Sequence, residues 1–143
     1  PDLPLGEDES IRADLTEAGL AVVPLVAPTT LGQRRSEICR IASGFVYVVS
    51  SVGTTGERPE VPAHLKDLVA DVASRAEVPV AVGFGIGSPE HAAIVGQDAD
   101  GVIIGSKLVR IAADAGPEGP GAAVGVFIAE TAAALASARP AVR

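Results

Sequence analysis

Three glycine-bearing segments hold the residues of this chain best suited to chemistry: Gly53-Thr54-Thr55-Gly56, Gly83-Phe84-Gly85-Ile86-Gly87-Ser88 and Gly101-Val102-Ile103-Ile104-Gly105-Ser106. Each follows an apolar run, where a strand would pass into a loop or into the start of a helix. Backbone N–H groups are unpaired at such places, and glycine, having no Cβ, lets an anion come close to them. Three such segments at consecutive strand ends predict one shared phosphate pocket rather than three plain turns.

Other reactive residue types are thinly spread. Cys39 is the single cysteine; it excludes an internal disulfide, fits a reducing cytoplasm, and reads as a small apolar packing residue. His64 and His91 fall in the first turns of predicted helices with no second His or Cys at ligand spacing, so they read as surface residues and no metal site is expected. Ser50 and Ser51 lack a His/Asp partner, which argues against a hydrolase triad. The run Glu7-Asp8-Glu9 reads as the solvated, dipole-favoured start of a helix.

The elements that must position these residues alternate. A helix is predicted from about Glu9 to Ala18, stopped by Gly19, and Leu20–Val26 reads as a buried strand in which Pro24 is a conflict. Thr29 or Thr30 is expected to cap a helix from about Leu31 to Ala42, with Leu31, Ile38 and Ile41 as its apolar stripe. Phe45–Ser50 is the next strand, followed by the loop Ser51–Val61. Pro62 opens a helix whose Leu65, Leu68, Val69 and Val72 share one face. Val78–Gly83 is a strand, Ser88-Pro89-Glu90 opens a helix, Gly101–Ile104 is a short strand and Ser106–Ala112 a short helix. Gly116–Gly121 reads as a linker before a last helix over Ala122–Ala138, with Val124, Phe127, Ile128, Thr131 and Leu135 at helical spacing.

Strands alternating with helices imply βαβ units and a parallel sheet. Composition agrees, because 48% of residues are apolar and only 3% aromatic, a Val-rich balance that suits strands buried on both faces. The net charge of −7 with no Lys/Arg cluster argues against nucleic acid and means a phosphate must be held by local donors. Apolar runs such as Val78–Phe84 are too short to cross a bilayer, so no membrane role is expected. The chain contains no methionine and begins at Pro1, which leads us to expect the C-terminal part of something larger. Four visible strands, the last two ending in glycine loops and the last leading into a short extra helix, match the second half of an eight-stranded barrel. The fold expected is therefore α/β, a parallel (β/α) barrel of the TIM type, with residues 1–143 forming its C-terminal half as one unit.

Leu25-Val26-Ala27-Pro28-Thr29-Thr30, Gly44-Phe45-Val46-Tyr47, the Gly53–Gly56 loop, Gly83-Phe84-Gly85-Ile86 and Asp100-Gly101-Val102-Ile103-Ile104-Gly105-Ser106 occur in an order and at separations that resemble the tryptophan synthase alpha subunit family, from Pro1 to about Arg110. That resemblance implies a lyase of tryptophan biosynthesis that cleaves indole-3-glycerol phosphate to indole and glyceraldehyde 3-phosphate, uses no cofactor, and passes indole to a beta subunit in an alpha-beta-beta-alpha assembly. It implies that Gly56, Gly85, Gly105 and Ser106 bind the phosphate and that Leu25, Tyr47 and Phe84 line the indole pocket. It also implies that Thr55 sits in a mobile loop and that Asp2 and Pro4 lie in the beta-subunit contact. Three departures stand out: Thr54 where Val usually precedes the loop Thr, Gly6 in place of an acidic residue, and Lys107 where a small residue is common. The two catalytic carboxylates of the family have no match here, so no catalytic residue is assigned and the chain by itself is expected to be inactive. Alternatives left open by the residues are a non-catalytic half-barrel that binds phosphorylated ligands, or a related barrel such as indole-glycerol phosphate synthase.

Overall fold

A computed structural model of the chain describes residues 6, 9–50, 63–83, 85–116 and 119–138. Among them are six helices, α1 (Glu9–Glu17), α2 (Gly32–Ile41), α3 (Leu65–Ala73), α4 (Pro89–Val95), α5 (Ser106–Asp114) and α6 (Pro120–Ala138), and four strands, β1 (Leu25–Val26), β2 (Val46–Val49), β3 (Val80–Gly83) and β4 (Gly101–Ile103). The strands form one sheet in the order β1-β2-β3-β4, and every neighbouring pair is parallel. Parallel neighbours require a crossover between them, and α2, α3 and α4 supply it.

The register sorts the side chains into two faces. Val26, Val48, Val82 and Val102 stand in one row across the sheet, and Leu25, Tyr47, Ala81 and Gly101 in the next. In the first row Val26, Val48 and Val82 are 0% exposed. They pack with Ile38 and Cys39 of α2, with Leu65, Leu68, Val69 and Val72 of α3, and with Ala92 and Val95 of α4. The second row is only half-buried throughout. One face of the sheet is thus closed by helices, and the face that would turn into a barrel is open in this chain.

Local chemistry explains most element ends. Gly19, with φ +74°, takes the left-handed conformation just past α1, a conformation that costs a residue with a Cβ. Ser88 caps α4, its Oγ accepting from the His91 N–H at 3.2 Å, with Pro89 in the first turn, as the Ser-Pro-Glu sequence predicts. The four apolar residues assigned to one face of α3 are all buried.

Three expectations are corrected, and the expectation that apolar runs are too short for a bilayer meets one exception. β1 is two residues long, not seven, because Pro24 has no N–H for a ladder; the preceding segment still bonds irregularly, Ser43 N–H to the Val22 carbonyl and Tyr47 N–H to that of Pro24. Thr30 does not cap α2. Its Oγ1 accepts from the Ala27 N–H at 3.1 Å instead, and the N-cap residue is Leu31, with no side-chain cap and 70% exposed. The linker ends earlier than expected, at Pro120, which opens α6. Finally, α6 is long and apolar enough to cross a membrane by length and composition alone. Its Phe127 and Thr131 are nevertheless buried, and Leu135 packs on the core.

α2 and α3 are tied by charge. The Asp71 carboxylate on α3 bonds the Arg35 guanidinium on α2 and, within 2.7 Å, the Arg75 guanidinium. Arg75 also donates to Ser36 Oγ at 2.6 Å. Hydrogen bonds from Arg75 and then Arg35 hold the Asp71 carboxyl below its ordinary value of 3.8. A lowered native pKa favours the folded state above the ordinary aspartate range and loses that advantage as pH falls through the native value. The stability difference between the wild type and Asp71→Asn is therefore expected to be present at neutral pH and to close in acid, as read by urea unfolding. A difference that widens in acid would contradict it. In the same assay Leu65→Ala, at a 3% exposed core site, should lower stability by about 2–5 kcal/mol. Val126→Ala, at an exposed position, should stay within about 0.5 kcal/mol.

Candidate functional site

The ends of β3 and β4 carry two of the glycine segments expected to meet an anion. Gly83 pairs with Ile103 in the register, so Gly85 and Gly105, each two residues further on, leave the sheet at the same level. Gly85 has φ +95°, which a side chain would strain. Past β4 the chain passes through Ile104 to Gly105, the N-cap residue of the nine-residue α5. Gly105 itself has no side chain with which to cap this helix, and first-turn N–H groups at a helix start are the kind of donor an anion can use. A Cβ built on Gly105 would meet nothing within 4 Å, and both Gly105 and Ser106 are exposed. Backbone donors, a hydroxyl and the positive end of a helix dipole thus share one edge of the sheet.

The open face beside this edge carries the apolar wall. Leu25 and Tyr47 are direct register partners. The Tyr47 ring reaches across β3 so closely that a Cβ on Gly83 would lie 2.5 Å from its hydroxyl and 2.6 Å from Cε2. Gly83 is therefore required by a close approach, not by a turn. Burial alone raises the Tyr47 phenol above its ordinary value.

Of the residues singled out in the sequence, Gly85, Gly105 and Ser106 come to one strand-end edge, and Leu25 and Tyr47 to the adjoining open face. Phe84, Thr55, Gly56, Asp2 and Pro4 lie outside the described residues. Cys39 is buried in the core, and burial raises its thiol pKa, as a packing residue requires. His64 is exposed and Ser50 buried. Three features were not read from the sequence: the Tyr47–Gly83 approach, the Arg35–Asp71–Arg75 cluster, and a groove of about 290 Å³ between β4, α5 and α6 lined by Val102, Ile104, Leu108, Phe127, Ile128 and Leu135 among others. The helical spacing of the α6 residues was the one signal for the groove.

A parallel sheet closed by helices on one face, with glycine loops at the ends of its last two strands, defines the class as a partial TIM-type (β/α) barrel. The family model described as tryptophan synthase alpha chain matches residues 1–133, and the chain belongs to that family, a family of lyases of tryptophan biosynthesis. The tryptophan synthase alpha chain of Carboxydothermus hydrogenoformans is 49% identical over 111 residues, covering 78% of this chain and 42% of the relative. That of Rippkaea orientalis is 43% identical over 136 residues, covering 94% and 51%. A solved tryptophan synthase from Mycobacterium tuberculosis superposes with a TM-score of 0.81 at 34% identity, over 94% of this chain and 49% of that one. The chain spans about half the length of the curated relatives it matches.

Tyr47 is the only tyrosine and there is no tryptophan, so its near-ultraviolet circular dichroism reports one aromatic ring above 275 nm, roughly the upper limit of phenylalanine absorption. Gly83→Ala must push the ring off β3, and is expected to change that band while the far-ultraviolet spectrum persists. On a Tyr47→Ala background the same substitution should cost less stability, with a coupling of about 0.5–3 kcal/mol. Equal cost on both backgrounds would refute the contact.

Proposed function

We propose that this chain supplies the phosphate- and indole-binding half of a tryptophan synthase alpha active site, the C-terminal half of its barrel. Gly85, Gly105 and Ser106, joined by Gly56, bind the phosphate of indole-3-glycerol phosphate. Leu25, Tyr47 and Phe84 wall the indole ring, and Thr55 belongs to the loop that closes over the substrate. The observation that carries this reading is the placement of Gly85 and Gly105 two residues beyond the paired strand ends Gly83 and Ile103, with Gly105 opening α5.

Phosphate held at one end and indole at the other fixes the glycerol chain between them, which supplies orientation. Cleavage of the carbon–carbon bond then needs a proton delivered to the indole ring and a hydroxyl proton removed, tasks suited to positioned carboxylates. We assign those carboxylates to the other half of the barrel, which would continue the sheet from its edge strands β1 and β4. The products are indole and glyceraldehyde 3-phosphate. A beta subunit contacting the segment of Asp2 and Pro4 receives the indole, in the cytoplasm.

Indole-propanol phosphate, a substrate mimic lacking the cleavable diol, separates this reading from a ribose-phosphate barrel. Titration followed by calorimetry should give tighter binding of indole-propanol phosphate than of ribose 5-phosphate; the reverse preference would defeat the assignment. Ser106→Ala removes one hydrogen bond to a charged group and should weaken indole-propanol phosphate about tenfold. An unchanged affinity would remove Ser106 from the site.

A further inference from the structure

The turn that follows β1 is held by a residue outside it. Thr30 N–H donates to the Ala27 carbonyl at 2.9 Å, and Ala27 N–H donates to Thr30 Oγ1 at 3.1 Å. These two bonds close the turn Ala27–Thr30 on itself and leave α2 without a side-chain cap. The turn therefore has its own shape, but neither bond fixes it to the rest of the fold. Arg35 provides that tie. Its Nε donates to the Thr30 carbonyl at 2.9 Å, while its Nη1 bonds Asp71 on α3. The Arg35 side chain is only 13% exposed, so both bonds are shielded from water more than a surface pair would be.

The rest of the cluster has a different geometry. Arg75 bonds Asp71 and Ser36, linking α3 to α2 without touching the turn. If the cluster served only to tie two helices, Arg35 Nε would have no reason to reach back to Thr30. The turn it grips leaves β1 at the end where the strands carry their glycine loops, one residue beyond Val26 and two beyond Leu25. A guanidinium is suited to this because its planar fork bonds two acceptors in fixed directions.

We infer that Arg35 is a positioning residue: anchored by Asp71, it fixes the Ala27–Thr30 turn and through it the Leu25 wall of the ligand pocket. The pocket part of this inference rests on the proposed function; the turn part does not. Three variants in the full chain separate the roles. Arg35→Gln removes the grip on the turn and the bridge, Arg35→Lys keeps the charge but loses the fork, and Arg75→Gln removes the helix tie alone.

Amide hydrogen exchange at Ala27 and Thr30 is the first readout, with Val48 in the core as the measure of global stability. Arg35→Gln is expected to speed exchange at Ala27 and Thr30 about tenfold more than at Val48, Arg35→Lys to give the same pattern more weakly, and Arg75→Gln to leave the two turn amides level with Val48. Binding is the second readout. Arg35→Gln should weaken indole about fivefold while inorganic phosphate stays within about twofold. Uniform acceleration at all three amides in Arg35→Gln, or the turn pattern appearing equally in Arg75→Gln, would overturn the inference and leave a plain helix tie. Equal weakening of indole and phosphate would overturn the pocket role. A wild-type chain that binds no indole would instead count against the proposed function, with the turn role still decided by exchange.

Discussion

A parallel sheet buried on one face only is the constraint from which the rest of this structure follows. Val26, Val48 and Val82 are shut away against α2, α3 and α4, and burial of such a row drives the folding of the layer. Because side chains alternate across a strand, the same register that seals that row must turn Leu25, Tyr47, Ala81 and Gly101 to the other side. Their half-exposed state is the counterpart of the sealed core. It leaves the chain with a half-buried apolar row and an open flank.

The same register sets the strand ends. Pairing Gly83 with Ile103 ends β3 and β4 at the same level, with Gly85 and Gly105 each two residues beyond. A chain of net charge −7 repels anions at long range, and only close, directed donors can reverse that. Backbone amides at glycine loops and helix starts are donors of that kind, and they need no basic cluster. Tyr47 couples this edge to the wall, since its ring lies where a Gly83 side chain would be.

Much of this was legible in the sequence, for reasons that are local. Ser88-Pro89-Glu90 announces a capped helix and forms one, Gly19 ends α1 as expected, and the spacing of Leu65, Leu68, Val69 and Val72 gives the buried face of α3. Pro24 warned of the short β1. What escaped the reading depends on contacts between distant residues. Thr30 has a cap-forming side chain, but a competing bond to the Ala27 N–H took it. Arg35 meets Asp71 across 36 positions, and Tyr47 meets Gly83 across the same interval; spacing rules do not reach that far. For the candidate site, the glycine segments pointed to Gly85, Gly105 and Ser106, which the fold brings to one sheet edge, whereas the need for glycine at 83 became visible only with the ring in place. Family membership, matched over residues 1–133, agrees with the resemblance carried by the motifs.

We propose that the ends of β3 and β4 form one phosphate-binding edge. Amide chemical-shift mapping of the chain titrated with inorganic phosphate tests it most directly. Saturable shifts are expected to cluster at Gly85, Gly105, Ser106 and Lys107 and to share a single dissociation constant. Shifts confined to one loop, shifts with different constants in the two loops, or saturable shifts elsewhere with these amides unmoved would contradict it.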